Sequence, residues 1–115
     1  MKRTFSMTAG LLSCAVLLLA TPAAHAAVDA AAAQAFAKDS ECFKCHTLEK
    51  TKKGPSYKKI AAKYKGKADA EATLFKHLTT GPKVKLEDGT EEDHKIIESK
   101  DEAEAKNLVR WILSL

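Results

Sequence analysis

Methionine occurs only at positions 1 and 7 of this 115-residue chain, so no thioether is available to a bound metal beyond its first few residues. Five glycines and three prolines are too few for a collagen-like or low-complexity chain. Three cysteines are too few for a disulfide-built scaffold. Aromatic residues make up only 6%, and the longest apolar run, Gly10 to Ala20, falls well short of the ~20 residues that span a bilayer. With 30% charged and 45% hydrophobic residues, the chain is bounded to one small domain that can fold.

The first 26 residues read as an address. Lys2 and Arg3 give a positive start, Gly10 to Ala20 an apolar stretch, and Ala24-His25-Ala26 a small-x-small cleavage site. They predict a secretory signal peptide over residues 1–26 and a mature domain over residues 27–115. Cys14, which follows Leu-Leu-Ser, faintly resembles a lipoprotein cleavage box, but the apolar run continues past it. Removal of the leader takes both methionines, Cys14, Lys2 and Arg3, so the formal charge falls from +4 to +2.

The two remaining cysteines are Cys42 and Cys45, and His46 follows at once. An exported pair of cysteines ordinarily implies a disulfide, but C-x-x-C-H has a more specific chemistry. Two thiols one helical turn apart can each add across a vinyl group of one porphyrin, and the adjacent imidazole can then meet the iron. A thioredoxin-like dithiol would need a βαβ setting, and no convincing strand precedes the motif. A zinc site would want four ligands, against two thiolates and scattered histidines here.

Local signals predict helices throughout. Asp29 can cap a helix from about Ala30 to Lys38, with Phe36 its one large apolar side chain. Gly54-Pro55 breaks the chain before a helix over about Tyr57–Tyr64, with Ile60, Ala61 and Tyr64 on one side and Gly66 at its end. A third helix is predicted over Asp69–Thr80, striped by Leu74, Phe75 and Leu78 and stopped by Gly81-Pro82. Val84-Lys85-Leu86 followed by Asp88-Gly89 signals a short hairpin. The acidic run from Glu87 to Asp93 lacks the full pattern of a calcium loop and reads as solvated surface. Ser99 and Glu102 have capping-box spacing. In the last helix Ala105, Leu108, Trp111, Ile112 and Leu115 share one face, and Lys106, Asn107, Arg110 and Ser114 the other.

These motifs, in this order, resemble the small single-haem class I c-type cytochromes of bacterial periplasms, over nearly all of the mature chain. Cys42-Phe43-Lys44-Cys45-His46 is similar to their haem attachment site, Gly54-Pro55 to the Gly-Pro that follows it, Ala61-Ala62-Lys63-Tyr64 to their next helix and Leu108 to Leu115 to their final helix. The resemblance implies an all-α cytochrome c fold, about four to five helices around one covalent haem c. It implies that the final helix crosses the first, bringing Trp111 near Phe36. It makes His46 the proximal iron ligand and the Pro55 carbonyl the acceptor for its other ring nitrogen, a role that fixes the orientation of a ligating imidazole.

The chain departs from those relatives on the far side of the iron, where most use a methionine in the loop before the last helix. Here that loop holds His94, which stands seventeen residues before Trp111, close to the family's methionine spacing. Burial of Ile96 and Ile97 would draw it inward. His94 is therefore the proposed distal ligand, and a second imidazole in place of a thioether predicts a lowered reduction potential. His77 is the alternative ligand, although it lies about 105° from the centre of the Leu74/Phe75/Leu78 stripe, a placement that points to solvent. An open iron is the third reading.

Charge is unevenly spread. Residues 27–67 carry ten lysines against four acids, and residues 68–115 seven basic against eleven acidic residues. Lys44, Lys50, Lys52, Lys53, Lys58 and Lys59 surround the attachment segment, a patch that would steer an acidic redox protein to the haem edge. Nucleic acid is disfavoured by the export signal and the lack of interleaved exposed aromatics. The expectation is a periplasmic one-electron carrier that needs no bond-making catalysis, spans no membrane, and acts as a monomer or weak oligomer. A haem-based binder or sensor of nitric oxide, carbon monoxide or peroxide, with an open or exchangeable iron position, is the alternative. A dedicated redox subunit of one dehydrogenase or reductase is the third reading.

Overall fold

The computed structural model describes residues 27–115, and the signal-peptide expectation lies outside them. Four helices, α1 (Ala30–Asp39), α2 (Tyr57–Tyr64), α3 (Ala70–Thr80) and α4 (Glu102–Leu113), are joined by 3₁₀ turns at Cys42–Lys44 and Ser99–Asp101. One hairpin, β1 (Lys83–Lys85) and β2 (Glu91–Asp93), lies between α3 and α4.

The α1 helix starts where Asp29 accepts a hydrogen bond from the Ala32 amide at 2.9 Å, which satisfies one of the orphan donors of the first turn. Its inner face is Ala33 and Ala37, both fully buried. Small side chains four residues apart let the α4 backbone approach closely. Phe36 packs against a core cluster formed by Ala33, Ala37, Tyr57, Leu108, Trp111 and Ile112. Trp111 and Phe36 thus share one core cluster, and α4 packs on α1, α2 and α3.

Helix α4 ties two of its three neighbours with side chains on the polar face of its helical wheel. Asn107 donates to the Asp29 carbonyl at 2.8 Å and accepts from the Asp29 amide at 3.0 Å. Arg110 donates to Glu71 of α3 at 2.9 Å. Val109 is fully buried, whereas Leu115 is 39% exposed because the helix ends at Leu113. The expected capping box does not form. The residues before α4 wind as a 3₁₀ turn without a side-chain cap, and the Glu102 carboxylate accepts from Lys106 one turn on. Ser99 lies inside the 3₁₀ turn and Asp101 takes the N-cap position of α4, so the two box residues do not stand at N-cap and N3.

The hairpin forms as its turn residues predict, pairing Lys83 with Asp93, Val84 with Glu92 and Lys85 with Glu91. Asp88 accepts from the Thr90 amide at 2.9 Å, and Gly89 takes a φ of +86°. The acidic stretch from Glu87 to Asp93 is exposed.

Candidate functional site

The fold gathers Cys42, Cys45, His46, Pro55, His77 and His94 on the wall of one cavity of about 840 Å³, backed by Tyr57, Leu74, Leu78, Leu108, Val109 and Ile112. That volume suits a cofactor-sized ligand, for which clefts run to roughly 300–1,000 Å³.

Cys42 and Cys45 are unbridged. The turn that carries them begins after Glu41, whose φ of +60° is unusual for a residue with a side chain. Burial raises the Cys42 thiol above its ordinary pKa and keeps it protonated.

His46 is held on three sides. Its Nδ1 donates to the Pro55 carbonyl at 2.7 Å. The Tyr57 ring stacks on it with centroids 5.3 Å apart. Gly54 lies so near that a Cβ there would stand 3.0 Å from Cε1 of the ring. Burial lowers the His46 pKa, partly offset by the Pro55 carbonyl, so the ring is neutral. A carbonyl can only accept, so Nδ1 carries the proton and Nε2 keeps its lone pair for a metal.

His94 lies across the cavity, its ring centroid 6.2 Å from that of His46. Its Nδ1 pairs with the carbonyl of Lys95 at 2.9 Å, which in the neutral ring leaves Nε2 free in the same way. Ile97 is buried as expected, but Ile96 is 55% exposed, because successive residues of an extended segment point to opposite sides.

His77 does not face solvent. It is half-buried on the same cavity wall, 4.5 Å from the His94 ring in an edge-to-face arrangement, and burial lowers its pKa. The wheel misplaced it because Phe75 pulled the stripe's centre aside. Phe75 is not among the cavity residues, and the Lys106 ammonium sits over its ring, while Leu74, His77 and Leu78 form the cavity-lining face. In the sequence, Tyr57 marks only a helix start. It is 2% exposed and joins His46 to Trp111, whose ring it meets edge-on at 5.5 Å. Its place directly after Gly54-Pro55-Ser56 was the available signal.

The donor set fits a covalently held porphyrin: two free thiols and two imidazoles share one largely apolar slot. Comparison with known proteins agrees, for the cytochrome c family profile matches residues 30–115. The chain belongs to the cytochrome c family. The cytochrome c-552 of Nitrosomonas europaea is 35% identical to it over 111 residues, spanning 84% of this chain and 94% of that protein. Cytochrome c2 of Rhodocyclus tenuis is 38% identical over 82 residues, spanning 70% and 89%. Among solved structures, the class 1 cytochrome MtoD of Sideroxydans lithotrophicus ES-1 superimposes with a TM-score of 0.74 at 57% identity, covering 76% of this chain and 97% of that one. This cytochrome c accordingly has the all-α cytochrome c fold, with one covalently attached haem c and its iron as cofactor, and it serves electron transport.

Proposed function

We propose that this cytochrome c is an exported, periplasmic one-electron carrier. Its haem is attached through Cys42 and Cys45, and its iron is held by His46 on one side and His94 on the other. The observation that carries the ligand set is the 6.2 Å separation of the two rings across one cavity. Two imidazoles bound to a single metal ion at about 2 Å each put their ring centres about 6 Å apart. The Pro55 carbonyl orients His46, the outer-shell role such acceptors have for ligating imidazoles. When bound, the haem supplies a one-electron redox centre; the chain excludes water from it and sets its potential. Without a thioether to favour ferrous iron, that potential lies below those of methionine-ligated relatives.

The partner we propose is an acidic redox protein that docks at the cavity mouth. Lys44 and Lys58 are engaged by Glu41 and Glu49, and Lys52 donates to the Phe43 carbonyl. Among the described residues, Lys50, Lys53 and Lys59 have no carboxylate in ion-pair reach, and Lys59, Lys63 and Lys85 line the mouth itself. Unpaired ammonium groups there would attract an acidic surface and orient it toward the haem edge. Among the described residues no helix is long and apolar enough to cross a membrane.

The ligand assignment is tested by the ferric spin state of His94→Ala and His77→Ala. The first is expected to turn low-spin iron high-spin and the second to leave it low-spin. The reverse pattern would assign His77. Wild-type ferrous protein that takes up carbon monoxide at once would indicate an open iron and a small-ligand binder instead.

A further inference from the structure

The α3 helix ends at Gly81-Pro82, which the sequence offers only as a stop signal. We propose that this dipeptide is a positioning clamp for His94, an inference that rests on the ligand set proposed above.

Three contacts seat the distal segment on the end of α3. Gly81 takes a φ of +56°, and a Cβ there would stand 2.6 Å from the His94 carbonyl oxygen and 2.5 Å from Cγ1 of Ile96. The His94 amide donates to the Pro82 carbonyl at 2.9 Å, and the Ile97 amide to the Leu78 carbonyl at 2.8 Å. The imidazole itself is bonded to the carbonyl of Lys95, the next residue, which travels with the same backbone. Where the backbone sits therefore decides where the ring sits. The ring's other close neighbour, the edge of His77, is an aromatic contact and not a hydrogen bond.

The arrangement repeats that of the proximal side with its parts exchanged. There, Gly54 leaves room for the His46 ring, and the Pro55 carbonyl accepts from that ring. Here, Gly81 leaves room for the His94 backbone, and the Pro82 carbonyl accepts from that backbone. Each imidazole is thus set by a Gly-Pro pair at an element boundary: one grips the side chain, the other the main chain.

The hairpin supplies a control for backbone strain. Gly89 has a φ of +86°, yet a Cβ added to it meets nothing within 4 Å. Gly81→Ala and Gly89→Ala thus carry a similar penalty for a left-handed residue with a side chain, but only the first pushes on His94. In the haem-loaded protein, Gly81→Ala is expected to raise the high-spin ferric fraction and the rate of carbon monoxide binding to ferrous iron severalfold over Gly89→Ala, which should keep the wild-type spectrum. Adding Ile96→Ala to Gly81→Ala should not restore that spectrum, since the His94 carbonyl still blocks the Cβ. Pro82→Gly, which keeps the accepting carbonyl but frees its φ, tests the same seat should Gly81→Ala fail to fold, and should also quicken carbon monoxide binding. The clamp is refuted if Gly81→Ala and Pro82→Gly behave like Gly89→Ala, or if Ile96→Ala fully rescues the first. Where His94→Ala turns high-spin and these variants do not, the clamp alone fails; where His94→Ala itself stays low-spin, the ligand reading fails.

Discussion

The chemistry of this site turns on which nitrogen of each imidazole is left over. Both His46 and His94 pair Nδ1 with a backbone carbonyl, and a carbonyl can only accept, so Nδ1 is the donor in each ring and Nε2 takes no part in that bond. They differ in how firmly they are held. His46 is pinned from three directions, including a glycine where a Cβ would crowd the ring, whereas the His94 ring is bonded to its own neighbour. Gly54→Ala should therefore act on the proximal side. Its Cβ at 3.0 Å from Cε1 and 3.3 Å from Nδ1 would lengthen the 2.7 Å bond to Pro55, and overpacking of this kind costs about 1–3 kcal/mol. Denaturant unfolding followed at the haem absorbance measures that loss, and a midpoint equal to wild type would reject the close approach. The motif C-x-x-C-H and the following Gly-Pro were legible in sequence because their spacing encodes the chemistry. The nearness of Gly54 to the ring was not, since a glycine before proline reads equally well as a turn.

At the scale of elements, helix positions were legible and facing directions only partly so. The α2 boundaries coincide with the expectation, α1 and α3 differ from it by one residue each, and the hairpin lies at its Asp-Gly turn. Caps, breakers and turn residues act locally, so local sequence carries them. Facing is a tertiary property. His77 lines the cavity because α3 meets two surroundings at once, the slot along Leu74 and Leu78 and the α4 side along Phe75. Helix α4 offers a comparison between buried and frayed positions on one predicted face. Leu108 is 1% exposed and Leu115 39%. Leu108→Ala should cost about 2–5 kcal/mol of unfolding free energy, and Leu115→Ala within about 0.5 kcal/mol. Equal losses in thermal or denaturant melts would show that the chain end is packed after all.

For the whole molecule, the division of charge along the chain survives folding in softened form. Glu41 engages both Lys44, within the attachment motif, and Lys95, beside His94, and Glu92 and Asp93 of the acidic half border the same cavity as Lys59 and Lys63. The mouth is therefore mixed: among the described residues Lys59, Lys63 and Lys85 make no ion pair there, and neither does Glu92. Exposed ion pairs such as these contribute little to stability, so their effect should appear in rates. Electron transfer to an anionic redox reagent should slow as ionic strength rises, and transfer to a cationic one should quicken, by roughly tenfold between low and physiological salt. Stopped-flow traces with matched reagents measure both slopes; two flat slopes would remove the steering argument.

The sequence by itself determined the cofactor chemistry, the order of the helices and the absence of methionine beyond its first few residues, because each is written in residue identity or short spacing. Tertiary structure decided what spacing cannot express: that His77 faces the slot, that Tyr57 stacks on His46, that Asn107 binds the start of α1, and that two Gly-Pro pairs flank the two imidazoles. The contacts of His46 with Pro55 and Tyr57 span nine and eleven residues, the others reach farther, and their geometry follows from how the four helices and the loops between them pack, a free-energy balance over the whole domain.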